Sequence, residues 1–160
     1  MNNKLVDFKS TKVIELGSCA FRQPAAKSRC RFVHGYRLVT KITFACKELD
    51  ENNWCVDFGS LKALKELLES TFDHTLCVAT DDPLIDKFQE LHELGGCDLR
   101  EFANGVGIEK FAEFILFTAD EFIKKITHHR CSVEKVELWE HEKNSAVVTL
   151  EQSKNSVKIN

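Results

Sequence analysis

The sequence predicts an α+β domain: an antiparallel four-stranded sheet with helices on one face, in the order ββααββ. Three observations predict it. Leu38, Thr40, Ile42 and Phe44 alternate with their neighbours, the mark of a half-buried strand. Phe111, Ala112, Ile115, Ala119, Phe122, Ile123 and Ile126 trace one stripe of a long helix. Val136, Leu138 and Glu140 then return to period two, and Asn144-Ser145 is the turn into a last strand, Ala146 to Leu150.

Taken in order, Lys12 to Leu16 leads through Ser18-Cys19-Ala20-Phe21 as the first strand. Gln23 to Ser28, with Pro24, is a loop. The second strand runs from Tyr36 to Cys46, and after a turn over 48–53 the segment Trp54 to Phe58 pairs back as a short extension. Ser60 caps a helix carrying Leu61, Leu64, Leu67 and Leu68. The stretch Cys77 to Asn104 is less periodic. Within it Asp81-Asp82-Pro83 opens a helix from Leu84 to Leu94, and Gly95-Gly96 stops it. No repeat or linker divides the chain, so the expectation is one domain, 1–160, with its core over about 12–150 and a polar tail at 151–160. A small sheet exposes its edges, and pairing them in a homo-oligomer is one solution.

Composition narrows the function. With 160 residues, 43% hydrophobic and 29% charged, the chain suits an ordinary globular domain. A net charge of −3 gives no electrostatic footprint for nucleic acid or an anionic membrane. No apolar run reaches transmembrane length and Met1-Asn2-Asn3-Lys4 lacks a signal core, so the sequence expects a cytoplasmic chain. The seven cysteines stand singly, at 19, 30, 46, 55, 77, 97 and 131, with no Cys-x-x-Cys pair. That spacing excludes the common zinc-ribbon and thioredoxin patterns and reads as reduced, buried small hydrophobes. Cys30 differs, because Arg29 and Arg31 flank it and favour a thiolate.

Several motifs then fall in sequence: Cys30-Arg31-Phe32-Val33-His34-Gly35-Tyr36, Asp57-Phe58-Gly59-Ser60-Leu61-Lys62, Phe72-Asp73-His74-Thr75-Leu76-Cys77, Val106-Gly107-Ile108-Glu109 and the late-strand Glu140. Together they resemble the 6-pyruvoyl-tetrahydropterin synthase / 6-carboxy-tetrahydropterin synthase family, from roughly Cys19 to Val148. The resemblance implies the tunnelling fold (T-fold), in which sheets of several subunits join into a barrel, so a trimer or hexamer is expected. It also implies a lyase reaction on 7,8-dihydroneopterin triphosphate, of the kind used in pterin and queuosine biosynthesis, with a pterin as the small-molecule partner and no nucleotide cofactor.

On that resemblance Cys30 is the base that removes a carbon-bound proton, and Asp73 with His74 relays protons. Glu140 holds the amino-pyrimidine edge of the pterin, and Glu109 belongs to the substrate-binding set. The family's zinc sits on three histidines. Here His34 alone of the three persists: Tyr36 takes the third position, and the first falls on Phe21 or, in a rival alignment, on Lys27. A catalytic zinc needs about three protein ligands, so the expectation is an altered or absent zinc site; strand parity offers Cys19, Cys30 and His34 as a substitute set, but that set would consume the proposed base. The cationic cluster Arg22, Lys27, Arg29 and Arg31 suits either a solvated loop or a triphosphate. Two functions follow: a lyase with altered metal chemistry, or a pterin- or purine-binding oligomer without the reaction.

Overall fold

A computed structural model describes residues 6–150 of the chain. Its strands are β1 (Phe8–Phe21), β2 (His34–Cys46), β3 (Thr75–Ala79), β4 (Asp98–Phe102), β5 (Cys131–His141) and β6 (Asn144–Thr149). Three α-helices intervene: α1 (Lys62–Phe72), α2 (Ile85–Glu93) and α3 (Ile108–Ile126). The strands form one sheet in the order β4-β3-β1-β2-β5-β6.

The α+β class holds, but the four-stranded antiparallel sheet and the ββααββ order do not. Two further strands, β3 beside β1 and β4 beside β3, run parallel to their neighbours and make the sheet six-stranded and mixed. Each was hidden for its own reason. All five residues of β3 are buried, so it lacks the alternation of a strand with one wet face. β4, Asp98-Leu99-Arg100-Glu101-Phe102, is short, polar and at the sheet edge. Conversely, Trp54–Phe58 is not a strand. Arg130 holds that loop instead, donating to Glu48 O (2.9 Å) and Cys55 O (3.0 Å). Asp57, not Ser60, caps the turn that leads into α1, accepting from Gly59 N at 2.8 Å. The polar tail expected at 151–160 lies outside the described residues.

β1 and β2 form the long hairpin on which the rest is laid, paired from Phe8↔Cys46 to Phe21↔His34. Leu64, Leu68 and Phe72 of α1 and Phe111, Ala112, Ile115, Leu116, Ala119 and Ile123 of α3 close over Ile14, Leu16, Leu38, Ile42 and Phe44. Asp120 is a buried exception with a structural use: it accepts from Val133 N (2.9 Å) and from Lys124 Nζ (2.6 Å), fixing α3 to β5.

One bulge matters for the site. The β1–β2 register shifts between Glu15 and Gly17, and Gly17 has φ +84°. A Cβ there would stand 1.9 Å from Asp73 Oδ1, so glycine is what lets the Asp73 carboxylate come down on β1.

Candidate active site

Strand pairing decides which side chains meet. Phe21 is opposite His34, and Cys19 opposite Tyr36, so all four share one face of the hairpin. The rings of Phe21, His34 and Tyr36 form a triad with centroids 5.0, 5.4 and 6.0 Å apart. His34 Nδ1 lies 2.7 Å from Phe32 O, which requires the proton on Nδ1 and leaves Nε2 as the acceptor or ligand atom. His141, from β5, stands 6.1 Å from the Tyr36 ring. Nothing in its spacing singled out His141; only the β2–β5 ladder brings it there.

Tyr36 is where several expected residues converge. Burial, then the negative charge of Glu140 and then that of Cys30, push its hydroxyl above the ordinary tyrosine value. Glu140 is at the β5–β6 bulge with a side chain only 16% exposed. Its Oε1 accepts from Asn144 Nδ2 at 3.0 Å, and no hydrogen bond among the described residues reaches Oε2. Cys30 is exposed in a 3-10 turn, Arg29–Arg31, pinned by Ser28 Oγ on its N–H (3.3 Å) and Gln23 N–H on its carbonyl (2.8 Å).

Asp73 and His74 form a separate pair where α1 ends. Asp73 Oδ1 accepts from Ser18 N (2.9 Å) and lies 2.9 Å from His74 Nδ1. The Ser18 N–H first, and His74 second, hold the carboxyl below its usual range. The ring proton is thereby fixed on Nδ1, and Nε2 is left for a substrate. His74 has φ +57°, the left-handed conformation that usually closes a helix with glycine. His74 lines a cavity of about 530 Å³ whose wall also includes Tyr36, Gly35, Thr75 and Cys97. No hydrogen bond among the described residues joins His74 to Cys30, His34 or Glu140. Glu109 is exposed in the first turn of α3, behind Gly107, and Gln23 Nε2 ties that turn to β1 through Val106 O at 2.7 Å.

Two expectations change. Arg22 is not a free cation for phosphate: its Nε and Nη2 clamp Asp82 at 2.8 and 2.7 Å, with the Asp82 side chain 1% exposed. Lys27, Arg29 and Arg31 remain exposed. Cys19 is buried with its sulfur 3.4 Å from that of Cys77, so it does not join Cys30 and His34 as a ligand set. A zinc centre on three histidines does not fit these residues either. Phe21 has no donor atom and Tyr36 offers only a phenol held above its usual pKa. The place where three potential ligand atoms do converge, among the described residues, is elsewhere: Cys46, Cys55 and Cys131, all buried, with sulfurs within 4.8 Å of one another. No helix among the described residues is long and apolar enough to cross a membrane.

Comparison with known proteins gives a consistent result. The family model described as 6-pyruvoyl tetrahydropterin synthase matches residues 12–151. A 6-carboxy-5,6,7,8-tetrahydropterin synthase from Rickettsia typhi is 39% identical over 62 residues, 38% of this chain and 45% of that protein. The same enzyme from Bacillus subtilis is 32% identical over 69 residues, 43% of this chain and 45% of that one. The chain thus spans about half the length of the curated relatives it matches. Among solved structures, an uncharacterized protein from Wolinella succinogenes superposes with a TM-score of 0.78 at 18% identity, covering 91% of this chain and 99% of that one. A 6-pyruvoyl tetrahydropterin synthase from Caenorhabditis elegans gives 0.63 at 16% identity, covering 92% and 98%. At such identities these two speak for the fold alone.

Proposed function

The chain belongs to the 6-pyruvoyl tetrahydropterin synthase family, and from that premise we propose that it is a 6-pyruvoyl- or 6-carboxy-tetrahydropterin synthase-like carbon–oxygen lyase acting on 7,8-dihydroneopterin triphosphate, with an altered or absent zinc site. The observation that carries the pterin part is Glu140: a mostly buried carboxylate with Oε2 unengaged among the described residues, beside the Tyr36 ring. That oxygen is open to solvent in the free chain, and the amino-pyrimidine edge of a pterin presents two donors that take the place of water there.

The roles are those the family resemblance implies, and each residue's placement supports them. Cys30, exposed on its pinned turn, removes a carbon-bound proton as thiolate. Asp73 holds the His74 tautomer so that Nε2 moves protons at the substrate side chain. Lys27, Arg29 and Arg31 receive the phosphates, since Arg22 is committed to Asp82. Among the described residues, no hydrogen bond joins the Asp73–His74 pair to the Cys30–Tyr36–Glu140 group, and β4 and β6 are the two edge strands of the sheet. Both features suit a homo-oligomer, a trimer or hexamer, that completes the site. A second reading is favoured by Phe21 and Tyr36 in the ligand positions: a pterin- or purine-binding oligomer without turnover.

Two variants separate the readings. Calorimetric titration with a dihydropterin should show Glu140→Gln binding about ten- to a hundredfold more weakly, the worth of a charged hydrogen bond. Equal affinity in Glu140→Gln removes the pterin pocket from both readings. Under the lyase reading, Cys30→Ala binds normally and loses triphosphate release; a wild-type chain that binds and releases none leaves the binding reading.

A further inference from the structure

Among the described residues, a group of three metal-ligating side chains lies at the opposite end of β2 from the aromatic triad. Twelve residues of strand at about 3.3 Å each, roughly 40 Å, separate His34 from Cys46. There Cys46, at the last position of β2, pairs directly with Cys131, at the first position of β5. The loop that Arg130 pulls down on the sheet end brings in Cys55. All three are buried, Cys46 and Cys55 at 6% and Cys131 at 1% exposure.

We propose that Cys46, Cys55 and Cys131 form a tris-thiolate site for a divalent d10 cation, zinc by class, independent of the pterin site. The geometry is close to what such an ion needs. Zinc–sulfur bonds of about 2.3 Å place three coordinated sulfurs about 3.8–4.0 Å apart, and these sulfurs already lie within 4.8 Å of one another. Closing that gap takes side-chain shifts of under about an ångström. The charges also balance. Three thiolates and one divalent ion leave a single negative charge, and the Arg130 guanidinium sits against the cluster, 3.0 Å from Cys55 O. A monovalent ion would leave two. Two routes lead in from solvent: Cys46 and Arg130 line a cavity of about 370 Å³, and Cys55 lines another of about 270 Å³ with Ser10. The first of these gives a water access to the fourth coordination position. Binding exchanges up to three thiol protons, released to solvent, for three metal–sulfur bonds, and no electron moves. The Cys131 sulfur gives up its hydrogen bond to Cys55 O (2.7 Å), and that carbonyl keeps its Arg130 donor.

The test uses the full reduced, metal-stripped chain titrated with Cd²⁺. Thiolate-to-metal charge transfer is followed by absorbance, and thiols protected from alkylation are mapped by peptide. The expected result is saturation at one equivalent with positions 46, 55 and 131 protected together, affinity falling more than about tenfold in Cys55→Ala, and no change in Cys77→Ala. The idea fails if no charge-transfer band forms, if protection maps to Cys19 and Cys77, or if Cys46 and Cys131 are recovered as a disulfide that takes no metal. Because the mapping is done on the unmodified chain, it stands even if Cys55→Ala does not fold.

Discussion

Phe21 and His34 face each other across the β1–β2 ladder with ring centroids 5.0 Å apart, and Tyr36 completes the triangle at 5.4 Å from His34. On the family resemblance, this face is the metal site with two of its three ligand positions exchanged. Phe21→His with Tyr36→His should therefore gain one zinc per chain over the unmodified protein, read by elemental analysis after dialysis. No added metal would mean that the three positions are not oriented for a shared ion. The count must be a difference, because the cysteine cluster at the other end of β2 contributes its own metal.

His74 occupies a backbone conformation better suited to glycine. His74→Gly should change stability by no more than about 0.5 kcal/mol, the relief at φ +57° offsetting the lost contact with Asp73. On the lyase reading its turnover should fall by about a hundredfold or more. Thermal melts beside triphosphate-release assays check both, and a large loss of stability would make His74 a structural residue.

Gly17→Ala carries the opposite signature. The new Cβ would collide with Asp73 Oδ1 and hold φ +84° against its preference. The expected cost is about 2 kcal/mol in urea unfolding, together with a weakened Asp73–His74 pair seen as a changed His74 ring chemical shift by NMR. A melt equal to wild type would show that β1 relaxes its bulge cheaply.

The Arg22–Asp82 clamp should matter most at low pH. Arg22 holds the Asp82 carboxyl below its ordinary range, so the pair contributes fully above about pH 4 and its contribution is lost as pH falls through the lowered value. Asp82→Ala should cost about 3 kcal/mol at neutral pH, because it strands a guanidinium that is 15% exposed. Denaturant melts at pH 7 and pH 3 should show the gap between variant and wild type narrowing in acid. A gap that widens would contradict the assigned sign.

Legibility followed the range of the interactions. The β1–β2 hairpin and the α3 stripe are local patterns, and the positions of His34 and Tyr36 follow from strand parity. β3 left no period because all five of its residues are buried. Arg22 looked like one of four loop cations because its partner, Asp82, is 60 positions away. The cysteine cluster was invisible for the same reason. Its members have no motif spacing, and Cys55 and Cys131, which share a hydrogen bond, are 76 positions apart.

The β2–β5 ladder also has a kinetic meaning. Thr40 bonds Glu137 O across 97 positions of sequence, whereas the β1–β2 hairpin closes over a single loop. Loop-closure entropy makes such distant pairing late, so during refolding the hairpin should be protected first and β5 should dock near the end. Cys131 then joins Cys46 only in the last stage of chain closure, and a metal bound by both would act as a latch on the finished sheet, slowing its opening more than it speeds its formation.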